Sequence, residues 1–374
     1  MLKFLKSLVG GARTAPHRDD IRIATDFEPV DLSWYDETAM PLPVWDEIAA
    51  AVGEDWPSER RDVFWTAAAG HWLLALGAVL PEGYRIHESD DFLLLSALEE
   101  RPARVLLRFC QSVRRRILRN LGDAAAARVA GKHVVLVFAD EQTYYDYISH
   151  YYPEGGEYAM SSGMFVHAGY GHFALFENDT EHMQPVIAHE LTHCLLSHLR
   201  IPAWLNEGMA VNTEHALFPH LADPRSSLYR PNEIKAKHAA FWNADTIQEF
   251  WSGKSFLRTD DGNMLSYDLA KRIAATAARD EAAFRVFLRE ADVADAGLSA
   301  EHRLGYPIEH LAMVMLGEGD WRPAPERWSD GTERGQFRSA KEGGLRAAIA
   351  NNPKMYAPQY PRWRPHSIIR DAFI

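Results

Sequence analysis

Cysteine is almost absent from this chain. Of 374 residues only Cys110 and Cys194 carry a thiol, far apart and each inside an apolar helical pattern. No disulfide framework is implied, and both read as buried thiols. Positive charge is also in deficit: 40 Lys and Arg face 52 Asp and Glu, a net charge of -12. That argues against general binding to a phosphate backbone, which needs clustered cations to release counterions, so nucleic acid is not an expected partner. No apolar run approaches the roughly 20 residues that span a bilayer, and the longest candidate, 72–80, reads as a core helix. No integral membrane segment is expected. The N-terminal MLKFLKSLVGGA lacks the uninterrupted apolar stretch of about 7 to 15 residues of a secretory signal. A frayed terminus is favoured there over a short amphipathic helix, and a cytoplasmic location is expected. Repeats and low-complexity tracts are missing as well.

What is present is an ordinary globular composition, 47% hydrophobic and 25% charged, with length enough for two or three domains' worth of core. Residues 1–44 end in a Pro-, Asp- and Thr-rich stretch that predicts an extended arm pinned by Trp34, Tyr35 and Trp45. Residues 45–130 read as a helical N-terminal domain, with segments near 44–53, 59–80, 89–99 and 102–121 between turn signals. The last of these carries Arg101, Arg104, Arg108, Arg114, Arg115, Arg116 and Arg119 around an apolar stripe. It reads either as a surface for an acidic partner or, the favoured alternative, as a solvated face paired with the chain's many carboxylates.

Character changes at His133. HVVLVF is a β-branched run that predicts a buried strand, and Asp140 caps the helix that follows. SSGMFVHAG and GYGHFALFEN predict two more strands separated by Gly169 and Gly171, the second, 172–176, being the expected sheet edge. Helices are then expected over about 232–253, 264–279, 280–291 and 306–317. Residues 319–374 are expected to form an irregular tail anchored by Trp321, Trp328 and Trp363, with one helical fragment near 339–350.

Between the strands and the later helices lies PVIAHELTHCLLSHLRIPAWLNEGMA, residues 185–210. Residues four apart on a helix lie one turn above each other, so His189 and His193 can converge on one metal ion, with Glu190 beside it. A catalytic zinc takes three protein ligands and keeps a fourth position for water, for which a neighbouring carboxylate is the general base. Composition alone yields such a pentapeptide in roughly one chain of this kind in twenty, so context decides. The context here is a helical apolar pattern, a turn at Ile201-Pro202, and a second carboxylate, Glu207, 14 residues past His193 that can fold back to the metal. Gly208 beside it fits close packing against the zinc helix. His198 is turned roughly 140° from His193 on the helical wheel and lies off the ligand face, and Cys194 is turned about 100°.

HELTH followed by PAWLNEGMA resembles the gluzincin metallopeptidases, relatives of thermolysin and aminopeptidase N, and within them the compact peptidase MA-like branch. The resemblance covers about 131–280. It implies an α+β, mainly helical protein whose zincin-like catalytic domain, 131–318, has a small sheet and the HExxH helix above a helical lower part. It implies Zn2+ held by His189, His193 and Glu207, with Glu190 as the base, and a peptide or protein substrate laid along the edge strand. Tyr267 is placed like the catalytic tyrosine of the aminopeptidase N relatives and is the first choice for oxyanion donor, ahead of His215, His238 and Tyr229.

Two departures sharpen this. The second-shell Asp that thermolysin-type enzymes carry four residues after the ligand Glu is Val211 here, so another group must orient a zinc histidine. Gly163-Met164-Phe165 lacks the amine-binding Glu of the aminopeptidases, which favours an endopeptidase. The competing expectation is a non-catalytic, zinc-stabilised binding protein.

Overall fold

Six short strands make one mixed sheet, and the role of each side chain depends on which face of it the residue meets. The computed structural model describes residues 21–36, 38–53, 55–125, 130–151, 162–219 and 229–328. The strands are β1 (Arg22–Ile23), β2 (Arg85–Glu88), β3 (Phe92–Ser96), β4 (His133–Phe138), β5 (Gly163–Val166) and β6 (His172–Phe176), in the order β1-β2-β3-β4-β6-β5. β3, β4 and β6 are parallel, and the outer pairings are antiparallel. Strands buried on both faces read as continuous apolar runs, and FLLLS of β3 and HVVLVF of β4 are buried at every position.

The helices α1 (Trp45–Ala50), α2 (Ser58–Val79) and α4 (Glu141–Ile148) share a core with Leu93, Leu95, Val134, Leu136 and Ala174 on one face of the sheet. On the other face, Phe92, Leu94, Val135, Val137 and Phe173 pack with α3 (Glu100–Leu121) and α5 (Thr180–Leu196). That second core runs on without a break into the later helices: α6 (Ala203–Leu217), α7 (Pro231–Phe241), α8 (Thr246–Trp251), α9 (Asp261–Ala277), α10 (Glu281–Glu290) and α11 (Glu309–Leu316). The class is therefore α+β, with helices in the majority. Asp140, Asp260 and Asp280 start α4, α9 and α10 by accepting main-chain N–H groups of Thr143, Gly262 and Ala283.

Several expectations need correction. The helix expected over 89–99 is the strand β3. Its apolar run, Phe92 to Leu95, is periodic for neither structure, and both faces are buried because α2 and α3 sandwich it. With β2 and β3 in the sheet, 45–130 is not purely helical, and the sheet crosses the boundary drawn at 130, since β3 pairs with β4 from Phe92 against His133 onward. The edge strand is β5, because β6 lies between β4 and β5. The single helix expected over 232–253 is broken between α7 and α8, where the Asn243 side-chain oxygen takes the N–H groups of Asp245 and Thr246.

The arm from residue 21 onward adds β1 to the sheet and presses the Phe27 ring onto Gly70 of α2, where a Cβ would lie 2.4 Å from it. Trp45 does pin it, packing on Trp65, Trp72 and Tyr170, whereas Trp34 is exposed. Among the described residues only α2 is long and apolar enough by composition to cross a membrane. It buries Ala67 to Gly70, Trp72, Leu73 and Leu76 in the protein core. At the other end Trp321 and Trp328 are buried, and the Gln248 amide ties this segment down through the Arg322 carbonyl, the Ala324 N–H and the Trp328 indole. The expectations for 1–20 and for 329–374, including Trp363 and the fragment near 339–350, lie outside the described residues.

Gly208 packs against α9 and not, as expected, against the HExxH helix. A Cβ on it would lie 2.5 Å from the Ala270 carbonyl oxygen and 2.7 Å from the Ala274 Cβ. Backbone cannot yield cheaply, so Gly208→Ala should lower stability by about 1–3 kcal/mol. Urea unfolding checks this, and an unchanged midpoint would mean that α6 and α9 separate freely.

Candidate metal centre

The HELTH segment lies in the second half of α5, with Leu191, Cys194 and Leu195 turned into the core that backs the helix. Thr192, fully buried, satisfies its hydroxyl on the Ala188 carbonyl one turn back, at 2.7 Å. The chain then turns through 197–202, and the Pro202 carbonyl accepts from Leu205 and Asn206 as α6 begins. Trp204, also fully buried, holds the start of α6 by its indole bond to the Ala296 carbonyl and its edge-on contact with Trp251. Asn212 bonds to both the Gly208 and Lys271 carbonyls and locks α6 to α9. Glu207 is thereby brought back over the face of α5 that carries the two histidines.

The geometry there is specific. One oxygen of Glu207, Oε2, lies 3.3 Å from Nε2 of His189 and 3.4 Å from Nε2 of His193. The donor atoms of all three residues fall within 4.8 Å of one another. At the metal–donor distances of about 2.0–2.1 Å that zinc takes with imidazole and carboxylate, a tetrahedral edge is about 3.3–3.4 Å. The two measured separations equal that edge. The same Glu207 oxygen is buried and has no hydrogen-bond partner, a costly state for a carboxylate unless a cation sits against it. These residues fit a divalent metal. The His189 side chain keeps 16% of its surface exposed, against 10% for the other two, and is the most accessible of the three.

Electrostatics follow from this crowding. Desolvation opposes the charge on Glu207, but the adjoining His193 and His189 rings outweigh it and hold the carboxyl well below the usual range. Desolvation likewise pulls both imidazoles down, and the carboxylates around them, Glu207 foremost, outweigh it and raise them. Glu190, 7% exposed, is pushed up by burial. The histidines oppose that shift, and so does the main-chain N–H of Phe165, which donates to its carboxylate. Phe165 belongs to β5, so the edge strand and the HExxH helix meet at the proposed base.

The structure supplies a residue that sequence reasoning missed. Glu214 Oε2 faces Nδ1 of His189 at 3.5 Å, so His189 lies between two carboxylates, one on each ring nitrogen. Glu214 follows Glu207 by seven residues, two turns along the same face of α6, and that spacing was the available signal. Val211, at the position where an Asp was sought, is buried on this helix. His193 has no such support, as its Nδ1 is buried without a hydrogen-bond partner.

The other candidates separate cleanly. His198 bonds to the Ala124 and Leu195 carbonyls, off the ligand face. The Cys194 thiol lies 3.3 Å from Nδ1 of His133 and is pushed up to about 12 by burial, which suits packing and not ligation. His238 has both ring nitrogens engaged, with Asp268 at 3.0 Å and the Trp242 indole at 2.8 Å, and so offers no free donor. Tyr229 lies under the Lys237 ammonium. Tyr267 is partly buried on α9, edge-on against Phe256. It stands one turn before Ala270, on the side of α9 that meets Gly208 of α6.

No family model, curated protein or solved structure matches this chain. Function is therefore read from its own residues.

Protons and metal compete for the same imidazoles. Because His189 and His193 are raised in the metal-free protein, zinc affinity should begin to fall with decreasing pH above the ordinary histidine range. Glu214→Ala should weaken zinc binding about 10- to 100-fold near neutral pH and move that onset lower. Competition titration against a chromophoric chelator measures both, and an unaltered affinity would show that Glu214 does not orient His189.

Proposed function

We propose that the chain is a zinc-dependent metallopeptidase of gluzincin type, more an endopeptidase than an aminopeptidase. The observation that carries this is the convergence of His189, His193 and Glu207, with one Glu207 oxygen 3.3 and 3.4 Å from the two imidazoles and a second buried carboxylate, Glu190, beside them. A purely structural metal site has no use for Glu190. Zinc bound there would supply Lewis acidity for a carbonyl and a water acidified towards neutrality.

The chain's own residues do the rest. Glu190 takes the proton from the attacking water and returns it to the leaving amine. Its raised pKa suits a group that must hold a proton between the two steps. The Phe165 N–H fixes its orientation, and Glu214 fixes the His189 ring. β5 has a single strand neighbour among the described residues. An extended peptide pairing with its outer edge would be held by main-chain hydrogen bonds, which tolerate many sequences. The carbonyl to be cut would then be presented near Glu190, which the Phe165 N–H of β5 reaches. Tyr267 is the proposed oxyanion donor, one helical turn from the α6–α9 contact.

Glu190→Gln keeps the size and burial of the side chain but removes the base. Zinc-reconstituted wild type should cleave members of a fluorogenic peptide library, and the variant should retain its zinc while losing about 10²- to 10⁴-fold in rate. A variant that cleaves at the wild-type rate would remove Glu190 from the mechanism. Wild type that binds zinc yet cleaves nothing would favour the zinc-stabilised binding protein.

A further inference from the structure

We propose that the exposed face of α3 is a docking track for an acidic peptide segment of a partner protein. The inference is independent of the metal centre. α3 contributes +6 (seven arginines, one glutamate), which leaves -18 for the rest of a chain of net -12. Cations so outnumbered were expected to be paired with neighbouring carboxylates. Two of the seven are: Arg104 with Glu100, and Arg114 with Asp91. Arg101, Arg108, Arg115, Arg116 and Arg119 are exposed, and their side chains make no ion pair or hydrogen bond among the described residues.

Their arrangement is linear. Arg101, Arg108 and Arg115 recur every seven residues, about 10.5 Å apart on one line of the helix, and Arg119 extends the line to about 27 Å. Val105 stands within the same line with 49% of its surface exposed. Guanidinium groups form two parallel hydrogen bonds with a carboxylate, so such a line suits a chain of acidic side chains flanking an apolar one. About eight residues of extended peptide cover the same length.

Charge complementarity also selects among occupants. Of the chain's own segments outside the described residues, the two longest are basic by sequence, +2 over 1–20 and +4 over 329–374, and the acidic one, 152–161, has only Glu154 and Glu157 to set against five arginines. A second copy docking face to face would set arginine against arginine. A membrane or a long polyanion covers a wide area and would also meet the acidic remainder of the surface. A short acidic segment is confined to the track.

The test is fluorescence anisotropy of labelled decaglutamate with the full-length zinc-reconstituted chain. Phosphatidylserine vesicles and heparin are the comparators. Saturable binding is expected, weakened about tenfold or more between 50 mM and 300 mM salt. Arg108→Glu with Arg115→Glu should abolish it, and the milder Arg108→Gln with Arg115→Gln should reduce it about tenfold. Circular dichroism checks that both fold, and the Gln pair alone decides if the Glu pair does not. Absent or variant-insensitive peptide binding overturns the proposal. So does tighter binding to vesicles or heparin than to decaglutamate.

Discussion

The arrangement depends on one buried carboxylate. Glu207 places a single oxygen against two imidazole nitrogens, in a region where that oxygen finds no hydrogen-bond donor. A buried charge must be neutralised or relieved by proton uptake. Without metal the imidazoles take up protons, which is why Glu207 is held low and the histidines are held high. With a divalent cation the same groups become ligands, and Glu190 and Glu214 add two further carboxylates around it. The cluster could therefore hold a cation, for which protons compete.

Holding three donors within 4.8 Å of one another requires two helices whose separation cannot drift. α5 is fixed by the sheet face it covers, with Thr192 satisfied internally and Leu191 and Leu195 in the core. α6 is fixed from the other side. Trp204 anchors its first turn, Gly208 lets α9 approach to backbone contact, and Asn212 bridges to Lys271. β5 completes the frame by giving its Phe165 N–H to Glu190. The sheet is thus tied to the proposed base, Glu190, and the lower helices to the proposed third ligand, Glu207.

Much of this was legible in the residues. The four-residue spacing of His189 and His193 put both on one face of a helix, and the turn at Ile201-Pro202 allowed Glu207 to return. Both inferences needed only local geometry. The strand HVVLVF and the capping role of Asp140 were readable for the same reason. What failed required knowledge of neighbours. Phe92 to Leu95 is apolar on every side, and only the helices packed on both faces make it a strand. Edge status belongs to the sheet and not to the strand, so β5 and β6 were exchanged. Glu214 lies seven residues past Glu207, on the same face but beyond the four-residue spacing at which a second carboxylate is expected. The arginines of α3 were expected to be paired because the chain is acidic, yet charge balance over a whole chain says nothing of which groups lie within reach of each other.

The most direct test of the central claim is zinc K-edge X-ray absorption on the reconstituted protein, combined with metal analysis. The account predicts about one zinc per chain in a shell of nitrogen and oxygen donors at about 2.0–2.1 Å, with two imidazoles and no sulfur. Loss of that zinc on replacing Glu207 with Ala is part of the same prediction. A sulfur donor at about 2.3 Å, or full zinc retention in Glu207→Ala, would contradict it.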